Sequence, residues 1–226
     1  MFKDLDAMKP NVVNDLDRQP PRILALGAHP DDIEAGCGGT LIKYAQSGHQ
    51  IFLMVLTGGE QGEPAPGVRK AEQEQAAKVL CADKIYWGGC EDAHVPLGYD
   101  IVQRIEAVVE EVKPHFIFVH YGDDTHQDHR HLAMSTMSAT RYTKNVLFYE
   151  GPTTQNFSPT VYVDIESVLE DKVLALMSHA SQVTKTNIEG LTITDFVRSA
   201  AHFRGFQGRV NNAEAFVPLR LFINLG

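Results

Sequence analysis

The chain has few of the residues that cross-link small secreted domains. Its 226 residues include three cysteines, Cys37, Cys81 and Cys90, and no C-x-x-C pair. The sequence therefore indicates neither a disulfide framework nor a thiolate zinc cluster. It also has no apolar run of about 18 residues, which a membrane-spanning helix needs, and its N-terminal stretch lacks the apolar core of a signal peptide. We expect a cytoplasmic protein without a membrane span.

Positive charge is also in short supply. Twenty lysines and arginines stand against 29 aspartates and glutamates, which leaves a formal net charge of -9. Because a phosphate backbone would be repelled and no Lys/Arg-rich run is present, the sequence argues against nucleic acid as a partner. Hydrophobic residues make up 43% of the chain and charged residues 22%. These proportions are typical of a globular domain that buries a sizeable core.

Short apolar runs alternate with helical patterns along the chain. Strands are predicted at residues 22–27, 51–57, 85–87, 115–119, 145–149, 160–164 and 213–222. Helices are predicted at residues 36–47, 69–80, 101–112, 167–178 and 193–203. The alternation favours an α/β fold with a mostly parallel sheet and helices on both faces. We predict one domain over residues 21–226, preceded by an irregular arm over residues 1–20.

Polar residues cluster directly after two of the predicted strands. The first strand is followed by His29, Pro30, Asp31 and Asp32. The fourth is followed by residues 120–131, which contain four histidines and three aspartates. Because ligands of open parallel sheets bind at the carboxyl ends of the strands, we expect both clusters at one crevice.

A shared divalent metal explains both clusters, since imidazole nitrogen and carboxylate oxygen bind Zn²⁺ well. His29 and Asp32 would chelate it from one turn, and His129 would complete the set from the opposite loop. Asp31 would lie beside the metal unbound, where a base that activates a water belongs. The alternative is that Asp31 and Asp32 simply cap the following helix. The distant H-x-D-H at residues 126–129 favours the metal.

Motifs for other chemistry are missing. No G-x-G-x-x-G directly follows the first strand, and the sequence contains neither a Walker A motif nor the G-x-S-x-G of serine hydrolases. A nucleotide-binding domain is therefore favoured by the predicted fold alone, and fold does not choose function.

The segment G-A-H-P-D-D-I-E-A-G-C-G-G-T-L at residues 27–41 resembles the opening motif of the PIG-L/LmbE-like family of zinc-dependent N-deacetylases. Later segments that agree with the family in order are residues 56–62, Arg69-x-x-Glu72, residues 126–129, residues 175–182 and residues 213–216. The resemblance spans residue 22 to the C-terminus. Gln127 stands where the family commonly has proline.

The resemblance implies a Rossmann-like α/β fold, assembly into trimers or hexamers, and removal of an N-acetyl group from a glucosamine-type sugar. It implies the metal-ligand role for His29, Asp32 and His129 and the general-base role for Asp31. The further residues that it places at the site are His126 as electrostatic stabiliser or acid, Asp128 as the residue that orients His126, and Arg69, Asp92 and His179 as substrate contacts.

Several alternatives stay open at this point. The enzyme could be an amidase acting on a larger N-acyl or cysteine-conjugate amide, or the chain could bind metal without catalysis. Fe²⁺, Co²⁺ and Mn²⁺ suit the same ligands as Zn²⁺. Specificity is expected from the loops at residues 58–67, 90–99 and 151–159. An ordinary surface or hydrogen-bonded core role is expected for the other histidines, namely His49, His94, His115, His120, His131 and His202.

Overall fold

A computed structural model describes residues 20–223 of the chain. Its strands are β1 (Arg22–Gly27), β2 (Gln50–Thr57), β3 (Lys84–Cys90), β4 (Phe116–His120), β5 (Val146–Tyr149), β6 (Val161–Asp164) and β7 (Ala213–Arg220). Its α-helices are α1 (Asp32–Gln46), α2 (Val68–Val79), α3 (Tyr99–Val112), α4 (Gln127–Ala139), α5 (Leu169–Met177) and α6 (Ile193–Gly208). The arm predicted over residues 1–20 lies outside the described residues, apart from Pro20.

All seven strands belong to one sheet in the order β3-β2-β1-β4-β5-β7-β6. The first five strands along the chain pair in parallel, and β7 runs antiparallel between β5 and β6. The predicted α/β fold with a mostly parallel sheet is therefore confirmed. In chain order, β2 and β3 are added on one side of β1, and β4 is then added on the other side. This reversal of strand order creates a crevice between β1 and β4.

Alternate residues of β1 enter two separate cores. Ile23 and Ala25 point into a core that includes residues of α1 and α2, whereas Leu24 and Leu26 point into one that includes residues of α3 and α4. All four side chains are fully buried. Because both faces of the central strands are covered by helices, these strands read as continuous apolar runs in the sequence.

Helix α1 packs unusually close to the sheet. It begins at Asp32 rather than at the predicted residue 36, and a Cβ on Gly36 would lie 2.1 Å from the Tyr149 ring. The Tyr149 hydroxyl donates to the carbonyl of Leu26 at 2.7 Å. Only a residue without a side chain lets the helix approach the ring in this way.

A carboxylate from β7 is inserted against the middle of α1. Glu214 is buried and accepts hydrogen bonds from the backbone N–H groups of Gly39 at 2.8 Å and Thr40 at 2.7 Å. The ammonium of the equally buried Lys172 lies 2.5 Å from the same carboxylate. The three elements α1, α5 and β7 are thus joined by one buried ion pair and two charge-assisted hydrogen bonds.

Further elements differ from the prediction. Strand β3 and helix α6 are longer than predicted. Helix α4 is an additional element, whose first turns overlap the polar segment at residues 120–131. Helix α5 is shorter than predicted and follows a 3-10 turn at Glu166–Val168. Among residues 20–223, every helix is too short or too polar to cross a lipid bilayer.

Candidate functional site

The two polar clusters meet at the crevice between β1 and β4. His29 follows the end of β1, His120 ends β4, and His126 caps the N-terminus of α4. The carboxyl ends of two adjacent parallel strands therefore bring residues that are nearly one hundred positions apart to the same point. This is the position at which open α/β sheets bind their ligands.

The three predicted metal ligands lie together. His29 Nδ1 is 3.3 Å from Asp32 Oδ2, and His129 Nε2 is 3.4 Å from Asp32 Oδ1. The ring centroids of His29 and His129 are 5.4 Å apart. Among the described residues, the donor sets whose ligand atoms all lie within 4.8 Å of one another divide the predicted ligands between them: His29, His126 and His129; Asp32, His120 and His129; and His29, Asp92 and Asp128.

His120 belongs to the site, although the sequence analysis gave it a background role. Its Nε2 lies 3.0 Å from Asp32 Oδ2, and its ring stacks on that of His129 with centroids 3.9 Å apart. The side chain is 1% exposed. The expectation for His120 was therefore wrong; its position at the end of a strand beside the crevice was the available signal.

Three carboxylates contact ring nitrogens of His29 and His129. Asp124 Oδ2 lies 3.2 Å from His129 Nδ1, while Asp92 Oδ1 and Asp128 Oδ2 lie 3.1 and 3.2 Å from His29 Nε2. Such contacts fix the orientation and tautomer of a metal-binding imidazole. The sequence analysis did not single out Asp124, because its loop gave no sign of which ring it would face.

Asp128 contacts the His126 ring through its backbone and not through its carboxylate. The Asp128 carboxylate faces His29 and accepts from the backbone N–H of Val95 at 3.1 Å. It is the backbone N–H of Asp128 that donates to His126 Nδ1, at 3.2 Å. Since Nδ1 of His126 is an acceptor, the neutral ring carries its proton on Nε2. Burial lowers the pKa of His126 and favours this neutral form.

The carboxylates change the proton affinity of the rings. Burial alone would lower the pKa of His29, but the contacts with Asp128, Asp32 and Asp92 raise it well above its usual value. Burial would also lower the pKa of His129, but the nearby carboxylates of Asp32 and Asp124 raise it to about 9. The centre therefore attracts positive charge, and a divalent cation on the imidazole nitrogens satisfies the same carboxylates.

Asp31 has a strained backbone, and its carboxylate points away from the helix that follows it. Its φ is +98°, a left-handed conformation, and its side chain makes no capping hydrogen bond to α1. The carboxylate instead lies 3.3 Å from an Arg69 Nη and borders the cavity described below. Burial raises its pKa to about 6, against the opposing charge of Arg69. Strain of this kind is typical of functional positions, and the helix-capping alternative loses its support.

Two predicted substrate contacts, Arg69 and Asp92, border the cavity but are already engaged. Arg69 donates to the carbonyl of Pro30 at 2.6 Å and to that of Gly59 at 3.2 Å. The second oxygen of Asp92 accepts from the backbone N–H of Gln61 at 2.9 Å, so both of its oxygens have partners. Their observed contacts position Asp31 and His29, and their role as substrate contacts stays a prediction.

His179 does not reach the cavity, so its predicted substrate contact is wrong. It is 1% exposed, and its Nε2 lies 3.5 Å from Glu34 Oε2 beneath the site. Glu34 accepts from Gln73 Nε2 at 2.6 Å, and Gln73 Oε1 accepts from the Asp31 backbone N–H at 3.4 Å. This buried set of polar residues was not predicted, because a single sequence does not distinguish buried polar residues of a helix from exposed ones.

A cavity of about 820 Å³ opens onto the centre. The three predicted specificity loops all contribute to it, through Gln61, Asp92, Ala93, Pro152 and Thr153 among others. A fourth segment, between Gln182 and Ser199, forms the remaining side and was not predicted to do so. The volume falls in the range of about 300–1,000 Å³ that is usual for small-molecule sites.

The family model described as PIG-L: GlcNAc-PI de-N-acetylase matches residues 24–140, more than half of the chain. The chain belongs to the PIG-L family. The match contains β1 through α4 and thus every residue of the proposed metal centre. The resemblance seen in the sequence is thereby confirmed.

Named relatives in this family are deacetylases. The uncharacterized deacetylase YaiS of Escherichia coli (strain K12) is 36% identical over 171 residues, which cover 70% of this chain and 90% of YaiS. The diacetylchitobiose deacetylase of Thermococcus kodakarensis is 25% identical over 191 residues, 71% of this chain and 70% of that protein. The solved N,N'-diacetylchitobiose deacetylase of Pyrococcus horikoshii shares the PIG-L family fold, with a TM-score of 0.77 at 22% identity over 88% of this chain and 83% of its own.

The donor set fits a divalent cation. Four imidazoles face one another with the carboxylates Asp32, Asp92, Asp124 and Asp128 among them. Two carboxylates contact the single nitrogen His29 Nε2. This arrangement is more typical of an imidazole whose other nitrogen binds a metal than of a surface ion pair. Nitrogen and oxygen donors of this kind suit zinc, iron, cobalt and manganese.

Proposed function

We propose that the protein is a metal-dependent hydrolase that removes the N-acetyl group from an N-acetylglucosamine-type sugar or sugar conjugate. The observation that carries the proposal is the placement of the Asp31 carboxylate, held by Arg69, at the cavity beside the cluster of His29, Asp32 and His129. The family model and the names of the relatives support the same chemistry. None of them favours an amidase that acts on a larger N-acyl substrate.

In this proposal His29, Asp32 and His129 hold the cation, with Zn²⁺ as the first candidate. When bound, the cation supplies Lewis acidity toward an amide carbonyl and lowers the pKa of a water molecule. Asp124 and the pair Asp92 and Asp128 hold the histidine rings in place, as second partners of metal-binding imidazoles do.

The residues of the chain then move the protons. Asp31 takes a proton from the water as the water oxygen adds to the acetyl carbon. His126 donates a hydrogen bond from Nε2 to the oxygen on which negative charge develops. The carbon–nitrogen bond breaks as Asp31 returns the proton to the departing nitrogen, so the amine and acetic acid leave, and the acid ionises to acetate with its proton passing to solvent or to the amine.

Arg69 keeps Asp31 in position for this work. Its guanidinium donates to the carbonyl of Pro30, directly before Asp31, and to that of Gly59 in the loop after β2, and it also contacts the Asp31 carboxylate. A base placed in this way is preorganised, which lowers the cost of reaching the reactive geometry. Cytoplasmic location and assembly into trimers or hexamers stay predictions.

The test is acetate release from a panel of N-acetylglucosamine conjugates. We expect activity in the protein as purified, loss of activity after full metal removal, and recovery upon addition of Zn²⁺, Fe²⁺, Co²⁺ or Mn²⁺. Which metal restores the highest rate assigns the cofactor. Acetate release that survives complete removal of the metal would refute the proposal.

A further inference from the structure

Left-handed backbone conformations are few in the part of the chain that the structure describes. Seven residues other than glycine have a positive φ there. Two are asparagines, which tolerate the conformation, and three lie at the ends of helices, where it is common; these are Asn156, Asn187, Cys81, Lys113 and Arg209. The remaining two are the proposed base Asp31 and the residue Ala93, and both line the cavity.

Ala93 has no local reason to adopt this conformation. Its φ is +64°. The Cβ of alanine makes a left-handed backbone costly, and alanine has no polar side-chain group that could bond to the backbone nearby. A residue stays in such a conformation only when the surrounding structure holds it there. The contacts made by the turn at Ala93 are therefore expected to fix its shape.

The first two turns of helix α4 hold this turn. Gln127 Nε2 donates to the carbonyl of Ala93 at 3.1 Å. Two residues further on, the N–H of Val95 donates to Asp128 Oδ1 at 3.1 Å, and the carbonyl of Val95 accepts from His131 Nδ1 at 2.7 Å. Of these three side chains, only that of Gln127 bonds to the strained residue itself.

The same turn is joined to the metal centre. Asp92, directly before Ala93, contacts His29 Nε2 and accepts from the N–H of Gln61, as described above. Asp92 and Ala93 form one part of the cavity wall, and Gln127 lies outside the cavity lining. Gln127 can thus affect the cavity through the Ala93 turn without touching a ligand in it.

We propose that Gln127 is a positioning residue for the substrate cavity. Its amide holds Ala93 in the left-handed conformation and keeps the wall of Asp92 and Ala93 in the shape that binds the sugar. The inference rests on the proposed function for the identity of the ligand. Without the hydrogen bond Ala93 relaxes in part of the molecules, and the apparent affinity for the ligand falls with the fraction that keeps the wall in place.

Gln127 can be replaced without damage to the start of α4. It is the first residue of the helix, where proline is favoured because no N–H is needed there. His126 before it is extended, with φ −82° and ψ 121°, as a residue before proline prefers. Glutamate at this position keeps the length of the side chain, lacks the donor and suits the N-terminus of a helix. Gln127→Pro and Gln127→Glu therefore remove the same hydrogen bond in two different ways.

The first measurement is hydrogen exchange at residues 91–95 in the metal-loaded protein without ligand. The N–H groups of His94 and Val95 are bonded to Glu91 O and Asp128 Oδ1, both at 3.1 Å, so opening of the turn exposes them. We expect exchange to be about 2–10-fold faster in both variants, the effect of one hydrogen bond, at an unchanged melting temperature. Unchanged exchange in both variants would overturn the proposal.

The second measurement is the binding of glucosamine to the same proteins by titration calorimetry. We expect the Kd to rise by about 2–10-fold in both variants. The KM for an N-acetylglucosamine conjugate should rise in parallel while kcat stays unchanged, because Gln127 acts on the wall and not on the reacting atoms. A fall in kcat at unchanged KM would contradict this role.

The matched control is Gln75→Glu. Gln75 is exposed on α2 and lies outside the cavity lining, so the same chemical change there should alter neither exchange at residues 91–95 nor the Kd. Equal changes in the control and in Gln127→Glu would mean that the added charge, and not the lost hydrogen bond, is the cause, and would overturn the proposal.

The exchange measurement is separate from catalysis, because it uses no ligand. Faster exchange in the variants, together with a wild-type protein that releases no acetate from any N-acetylglucosamine conjugate, would support the positioning of Ala93 and contradict the deacetylase proposal. Acetate release by the wild type with unchanged exchange in both variants would do the reverse.

Discussion

Asp31 is the residue in which the backbone and the chemistry of the site are most closely linked. A left-handed conformation at a residue with a side chain costs free energy of the order of 1–3 kcal/mol, and asparagine and aspartate tolerate it best among such residues. This conformation directs the Asp31 carboxylate away from the helix terminus and toward the cavity. The same conformation makes an isosteric test of the base possible.

Replacing Asp31 with Asn removes the proton acceptor and preserves the left-handed turn. We expect kcat to fall by about 10²–10⁴-fold, the usual range for the loss of a general base, with metal content and melting temperature unchanged. Acetate release and metal analysis measure the two effects. Asp100→Asn, at an exposed position in the first turn of α3, is the control. Undiminished turnover in D31N would exclude Asp31 as the base.

Asp124 tests whether the carboxylates behind the rings matter for metal binding. Asp124→Asn keeps the size of the side chain but removes the charge next to His129 Nδ1. We expect about 10–100-fold weaker metal binding and recovery of turnover at saturating metal. The dissociation constant is measured by competition with a chelator. The neighbouring exposed residue supplies the control Asp123→Asn, and equal affinities of the two variants would contradict the role of Asp124.

At the scale of elements, helix α1 depends on its close approach to β5. Gly36→Ala would place a methyl group inside the Tyr149 ring, so the helix or the ring must shift. We expect a loss of about 1–3 kcal/mol in the free energy of unfolding, as for other overpacked cores. Urea denaturation measures it.

Gly98→Ala, at the residue before α3, is the control for Gly36→Ala, because a Cβ at Gly98 meets no atom within 4 Å. A loss for G36A no greater than that for G98A would mean that the contact with Tyr149 relaxes without cost. The effect on unfolding should exceed the effect on metal affinity, since Gly36 lies in the second turn of α1 and does not line the cavity.

The strands were predictable because their residues are apolar on both faces, as in β1 and β2. Helix α4 was not, because its buried positions, such as Leu132 and Ala133, are interrupted by the polar residues of the site. His29, Asp32 and His129 could be assigned from motif and spacing. His120 and Asp124 could not, since their roles depend on which strands become neighbours and on the path of a loop.

For the whole molecule, metal binding and folding should be coupled. The proposed ligands come from the start of α1 with the loop before it and from the first turn of α4, which meet only in the folded protein, so the cation is expected to bind the native state. At one hundred times the dissociation constant this contributes about 2.7 kcal/mol, which for a domain of this size raises the melting temperature by about 5–10 °C. Calorimetry with and without chelator measures the shift.

The double variant His29→Ala/His129→Ala separates the proposed centre from other metal sites. It removes two of the proposed ligands, so its melting temperature should no longer respond to added metal. A response equal to that of the wild type would place the stabilising cation elsewhere on the molecule.

The buried Glu214 has a consequence for synthesis on the ribosome. Its carboxylate completes the middle of the helix that begins at Asp32 and neutralises Lys172, yet it is encoded about 180 positions later. Until β7 has left the exit tunnel, the nascent chain has an uncompensated ammonium beside the first helix. We therefore expect the proposed cation centre to form only after translation has passed residue 214, and truncation before β7 should yield a polypeptide that neither folds nor retains metal, as circular dichroism and metal analysis would measure.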